Sequence, residues 1–78
     1  MTIQFVPVTA TMIQSDDVDG TYQISRTPKP EAGWHTYRAW HRPTNKIIWT
    51  ERVYDEPAER AAAIEACKEM CSRHAGNV

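Results

Sequence analysis

The sequence predicts an α+β fold: a three- to four-stranded antiparallel sheet with one C-terminal amphipathic helix packed on one face. Three observations predict it. Alternating apolar and polar stretches fill the chain up to Tyr54, and a Pro43-Thr44-Asn45 turn joins the two longest of them. An amphipathic pattern with apolar residues three and four apart then runs to the end. Strands followed by a single helix favour a layered α+β arrangement over alternating βαβ units.

The elements follow in order. Ile3 to Ile13 is rich in β-branched residues and reads as a strand, with Pro7 confining it to a sheet edge or a bulge. Ser15-Asp16-Asp17-Val18-Asp19-Gly20 is a polar loop ending in glycine. Thr21 to Arg26 alternates Tyr22 and Ile24 with polar residues, the pattern of a half-buried strand. Two prolines, Pro28 and Pro30, make residues 27–33 an extended loop. Trp34–Arg42 and Lys46–Tyr54 form a hairpin in which proline presets the first corner and Asn45 takes the left-handed conformation. A three-residue turn pairs Trp34 with Tyr54 and Trp40 with Ile48 on one side, and Ala39 with Trp49 and His41 with Ile47 on the other.

The helix runs from about residue 56 to 75. Asp55 or Glu56 caps it, Pro57 opens it, and Arg73 and His74 sit in its last turn with Gly76 at the expected left-handed cap. Ala63, Ile64, Cys67, Met70, Cys71 and His74 form the apolar stripe, opposite Glu65, Lys68, Glu69 and Ser72. Glu56–Arg60 and Glu69–Arg73 are favourably ordered i,i+4 pairs.

Size and composition bound the function. Seventy-eight residues make one small domain, residues 1–78, with a thin core. Hydrophobic residues at 41% and charged residues at 24% exclude a disordered chain, and no apolar run is long enough to span a membrane. Met1-Thr2-Ile3-Gln4-Phe5 has no basic region followed by an apolar stretch, so no secretory signal is expected. Nine Lys and Arg against ten Asp and Glu exclude a wholly basic or wholly acidic surface, though not a patch of either sign. Cys67 and Cys71, four apart on a helix, are too far apart at Cβ for a disulfide without distortion. Reduced thiols place the chain in the cytoplasm.

Residues 34–68 carry a family resemblance. Tyr37-Arg38, the turn, Ile47-Ile48-Trp49-Thr50, then Tyr54 with Ala58, Ile64 and Lys68 resemble the YegP-like family of small bacterial βββα modules. The chain departs from that pattern in lacking an Asn-Gly turn and in its longer N-terminal segment. The resemblance implies a βββα fold and self-association, and no reaction.

Several constellations hold residue types that can carry chemistry. Cys67, Cys71 and His74 place three soft ligands on one stripe, but a zinc site wants a fourth, and one helix rarely supplies so many. Small core cysteines and a helix-end histidine account for them, so neither metal nor cofactor is expected. Cys71 and His74 as nucleophile and base would need a cleft and an oxyanion site that a one-helix domain hardly offers. Asp16, Asp17, Asp19 and Gly20 make only half a calcium loop, and the glycines at 20, 33 and 76 make no phosphate loop. No enzyme is expected.

Charge and aromaticity remain. Residues 21–54 carry Arg26, Lys29, Arg38, Arg42, Lys46 and Arg52 against only Glu31 and Glu51, while the flanking segments are acidic. One helix covers one sheet face, so the other is expected to expose aromatics and to meet a partner. The leading expectation is a non-enzymatic protein-binding module acting by surface occlusion. In kind it is similar to small phage-encoded accessory proteins, most concretely an anti-CRISPR-like inhibitor of a bacterial nucleic-acid-handling complex. Its expected contact residues are Trp34, Tyr37, Arg38, Trp40, Arg42 and Arg52, with the acidic loop Asp16, Asp17 and Asp19 as a second contact. The expected partner is a protein or ribonucleoprotein. The alternatives are a nucleic-acid-binding βββα domain that uses the same hairpin, and a homodimeric YegP-like module.

Overall fold

A computed structural model describes residues 3–17 and 20–76. Five strands, β1 (Phe5–Thr9), β2 (Met12–Ser15), β3 (Tyr22–Arg26), β4 (Trp34–His41) and β5 (Lys46–Tyr54), form one antiparallel sheet in sequential order, followed by helix α1 (Pro57–Gly76). The α+β class stands as expected, with one strand more than the upper expectation. The extra strand arises because residues 3–13 do not form a single strand. The chain reverses at Ala10-Thr11, and Phe5 pairs with Ser15 and Pro7 with Ile13. Proline lacks a ladder donor, and β1 accordingly lies at the sheet edge with its register shifting between Pro7 and Thr9.

Directly paired residues share a sheet face. Tyr22, Ile24, Tyr37 and Ala39 therefore point to one side, where they are buried against Ala63, Cys67 and Cys71 of α1. The bulky partners come from the sheet and the small ones from the helix, which lets the helix approach closely. Ile3, Phe5, Ile13, Ile48, Val53 and Ile64 complete this core at its margins. Both thiols are free and buried, and burial pushes the Cys67 thiol up to about 12 and the Cys71 thiol up to about 11.

The β4–β5 hairpin follows the expected register over most of its length. Trp34 pairs with Tyr54 and Ala39 with Trp49. Beyond them the register shifts, and Trp40 pairs with Ile47 and His41 with Lys46. The turn takes four residues, Arg42 to Asn45, closed by the Asn45 N–H donating to the Arg42 carbonyl at 3.0 Å. Asn45 is left-handed at φ 56°. The extra turn residue is balanced by a bulge at Ile48, which turns that side chain toward the core. The loop before β4 also differs from expectation, ending in a tight turn with Ala32 and Gly33 at φ 52° and 85°. Glu31 and Trp34 exchange both backbone hydrogen bonds across it. Gly20 needs φ 55° and sits where a Cβ would run into the Gln14 side chain.

Helix α1 starts one residue later than expected and includes Gly76, which does not adopt a left-handed cap. Asp55 does not cap it either. His35 Nε2 donates to Asp55 Oδ1 at 3.0 Å, and Arg60 Nη1 lies 3.6 Å from the same oxygen. Arg60 is thus drawn to Asp55 rather than to Glu56, whereas Glu69–Arg73 forms at 3.0 Å. His35 is 3% exposed, and its Nδ1 lies 3.2 Å from the Thr27 carbonyl. The pair ties the loop before β4 to the helix start through one buried ring.

Candidate functional site

The helix covers one side of the sheet; the other side is bare among the described residues. Alternation along β4 sends Trp34, Thr36, Arg38 and Trp40 to this side while His35, Tyr37 and Ala39 go to the core. Pairing adds Tyr54, Arg52, Thr50 and Ile47 from β5, Gln23 and Ser25 from β3, and Val6 and Gln14 from the N-terminal hairpin. No Asp or Glu of the five strands points this way, because Glu51 pairs with Tyr37 on the helix side; Glu31, bridged to Trp34 just before β4, is a carboxylate at its edge.

Two groupings organise the face. At one end Trp34 stacks on Tyr54 with ring centroids 3.9 Å apart, and the Arg52 guanidinium carbon lies 5.2 Å from the Trp34 ring centroid. Stacking and a cation–π contact bring these three side chains together while leaving Tyr54 52% exposed. Toward the other end Trp40 pairs with Ile47, which is 45% exposed, in a row that continues through Gln23 and Gln14 to Val6. Arg38 stands between the groupings, paired with Thr50 and Ser25. Arg42, in the turn, donates from Nη1 to Gln14 Oε1 at 3.4 Å.

The expected contact residues thus divide. Trp34, Arg38, Trp40 and Arg52 come together on the open face, with Arg42 in the adjoining turn. Tyr37 does not join them. It is 2% exposed on the opposite side, where alternation from Trp34 and Trp40 puts it, and burial raises its hydroxyl pKa. Asp16 and Asp17 are exposed in their loop, and Asp19 lies outside the described residues. The Asp17 carboxylate accepts the Thr21 N–H at 2.9 Å, a bond that holds it below the usual carboxylate range. Its first role is to shape the loop. Sequence reasoning passed over Tyr54, Ile47 and Val6 as contacts, although the Trp34–Tyr54 pairing was the signal for the first of them.

The cysteine–histidine stripe is dispersed by its packing. Cys67 and Cys71 are sealed under the sheet, and His74 Nδ1 lies 2.8 Å from the Tyr22 hydroxyl. His74 also lies against His41, ring centroids 4.6 Å apart. Among the described residues no group of three His, Cys, Asp or Glu is placed to hold a metal ion. No helix among them is long and apolar enough to cross a membrane.

Residues 34–68 fold as β4, β5 and the first part of α1. Comparison with known proteins gave no match to a protein-family model, to a curated protein or to a solved structure.

Proposed function

We propose that this chain is a small, non-enzymatic protein-binding module that acts by covering a partner's surface with the open face of its sheet. One observation carries the reading: Trp34, Tyr54, Trp40 and Ile47 share that face with Arg38 and Arg52, and no carboxylate of the five strands shares it. Tryptophan, tyrosine and arginine are the residue types that dominate binding energy at protein interfaces. Exposed Val6 and Ile47 add aliphatic surface, which suits a protein partner better than bases that stack on aromatic rings. A partner matched to this face is apolar at its centre and acidic at its rim. The concrete form of the reading is an inhibitor of a bacterial nucleic-acid-handling complex, acting in the cytoplasm, with the exposed Asp16 and Asp17 as a separate acidic contact.

The cationic character of the face favours a second reading, nucleic-acid binding, because Arg38, Arg42 and Arg52 are the side chains that would neutralise phosphates. Affinity capture from bacterial lysate, with and without nuclease, distinguishes the two. The protein-binding reading expects a stoichiometric complex that survives nuclease and is lost with Trp40→Ser or Arg52→Glu. Recovery of nucleic acid, with all co-purifying protein lost after nuclease, would overturn it in favour of the second.

A further inference from the structure

The covered side of the sheet is not filled to its edge. Helix α1 packs on β5, β4 and β3, and its backbone does not reach β1 or β2. The N-terminal hairpin therefore overhangs the helix. At one end of the overhang Phe5 fills the gap, with Lys68 Nζ 5.9 Å from its ring centroid. At the other end, beside Ile64, a cavity of about 350 Å³ remains. It lies at the small end of ligand-sized cavities, which span roughly 300–1,000 Å³.

On the helix side its walls are the apolar Ile13, Ile24 and Ile64 with Tyr37 and Arg26, and Thr9, Thr11 and Ser25 add polar groups at its margin. Tyr37 is 2% exposed, and its hydroxyl finds no hydrogen-bond partner among the described residues. No sealed polar side-chain atom among those residues lacks a partner. The Tyr37 hydroxyl is thus not sealed, and the cavity it lines is the space it meets. The hydroxyl therefore opens into this space and can donate a hydrogen bond to a polar atom that enters it. Arg26 donates Nη1 to the Thr27 carbonyl at 3.3 Å and makes no ion pair among the described residues. Arg26 and Arg60 both bring positive charge to bear on the Tyr37 hydroxyl, but Arg60 is already engaged with Asp55.

We propose that this cavity binds a small amphipathic carboxylate, its chain among Ile13, Ile24 and Ile64 and its carboxylate on the Tyr37 hydroxyl and the Arg26 guanidinium. One free guanidinium beside one hydroxyl donor matches a single negative charge. The isoleucine side chains favour a ligand with an apolar chain over one that is polar throughout. The site is on the side of the sheet opposite the open face, so it stands or falls independently of the protein-binding reading.

The test is titration of the full chain with octanoate, octanol and octylammonium, followed by nuclear magnetic resonance at the isoleucine methyl groups. Octanoate is expected to give saturable shifts at Ile13, Ile24 and Ile64, with octanol about tenfold weaker and octylammonium weaker still. Arg26→Gln keeps the stem and removes the charge, and is expected to weaken octanoate about tenfold while leaving octanol unchanged. Tyr37→Phe keeps the ring that fills the core and is expected to weaken octanoate by a smaller factor. Equal binding of all three compounds, or no saturable shift at the three isoleucines, would overturn the proposal. Because the ligand series is read on the unaltered chain, its result does not depend on either variant folding.

Discussion

The two faces of this sheet are made by the same strands and obey opposite rules. On the helix side every buried position is matched to a neighbour, with Tyr22, Ile24, Tyr37 and Ala39 against Ala63, Cys67 and Cys71. On the other side stand Trp34 and Trp40, half-buried, with Tyr54 and Ile47 exposed. None of the three tryptophans belongs to the buried core, for Trp49 sits at the helix-side rim and is 37% exposed. The helix contributes only alanine and cysteine to the buried core, where a small domain has every reason to use its largest apolar residues. The difference teaches that stability and recognition are divided between alternate residues of one strand, β4 above all.

The most direct way to break the comparison is to make the same substitution on both sides. Ile24 is 2% exposed and Ile47 is 45% exposed, and each lies in a strand of the same sheet. Ile24→Ala leaves a cavity under the helix and is expected to cost about 2–5 kcal/mol in urea unfolding. For a chain this short that loss is a large share of the whole, since stability runs at about 0.05–0.15 kcal/mol per residue. Ile47→Ala is expected to stay within about 0.5 kcal/mol of the parent. Equal costs would mean that the open face is a second core rather than a free surface.

A smaller effect sharpens the covered side. Both thiols are pushed up by burial, Cys67 to about 12 and Cys71 to about 11, against an unfolded value near ~8.5. The folded chain therefore holds its thiol protons where the unfolded chain releases them. The thiol contribution to stability is fully present below about pH 8.5 and falls as pH rises from there toward the folded values. The urea midpoint is expected to drop between about pH 8.5 and 10.5, and Cys67→Ala is expected to flatten that drop. A neutral-pH thiol reagent should modify neither cysteine until the chain unfolds. Rapid modification in the folded state would show that the helix does not seal this side.

How far the molecule was legible in its sequence follows the same division. The helix stripe, the β4–β5 hairpin and the Trp34–Tyr54 pairing were readable because periodicity and turn chemistry are local. Asn45 was placed correctly in the left-handed region on side-chain type alone. The N-terminal hairpin was not readable, since Ala10-Thr11 carries no glycine, asparagine or proline to announce a reversal. The bulge at Ile48 was hidden for a related reason: it compensates a four-residue turn, and turn length and register cannot be separated without the partner strand. Tyr37 was misassigned to the contact surface because residue type favours interfaces, whereas alternation from Trp34 already put it on the other side. The His35–Asp55 bond and the cavity beside Ile64 join residues far apart in the chain, so only packing reveals them.

The smallest expected effect tests whether the open face is ordered in advance of any partner. The Arg52 guanidinium lies 5.2 Å from the Trp34 ring centroid, and Trp34 in turn stacks on Tyr54. Arg52 is exposed, so its attraction to the ring is expected to contribute only about 0.5–1 kcal/mol. A double-mutant cycle with Arg52→Gln and Trp34→Leu isolates that coupling from the area each side chain covers. Coupling in the expected range means that the three side chains hold their arrangement in the free chain, which lowers the ordering cost when a partner docks. Zero coupling would leave the guanidinium unconstrained and remove the preorganised part of the face. Coupling of about 2 kcal/mol or more belongs to desolvated pairs, and would place this cluster with the core on the stability side of the division.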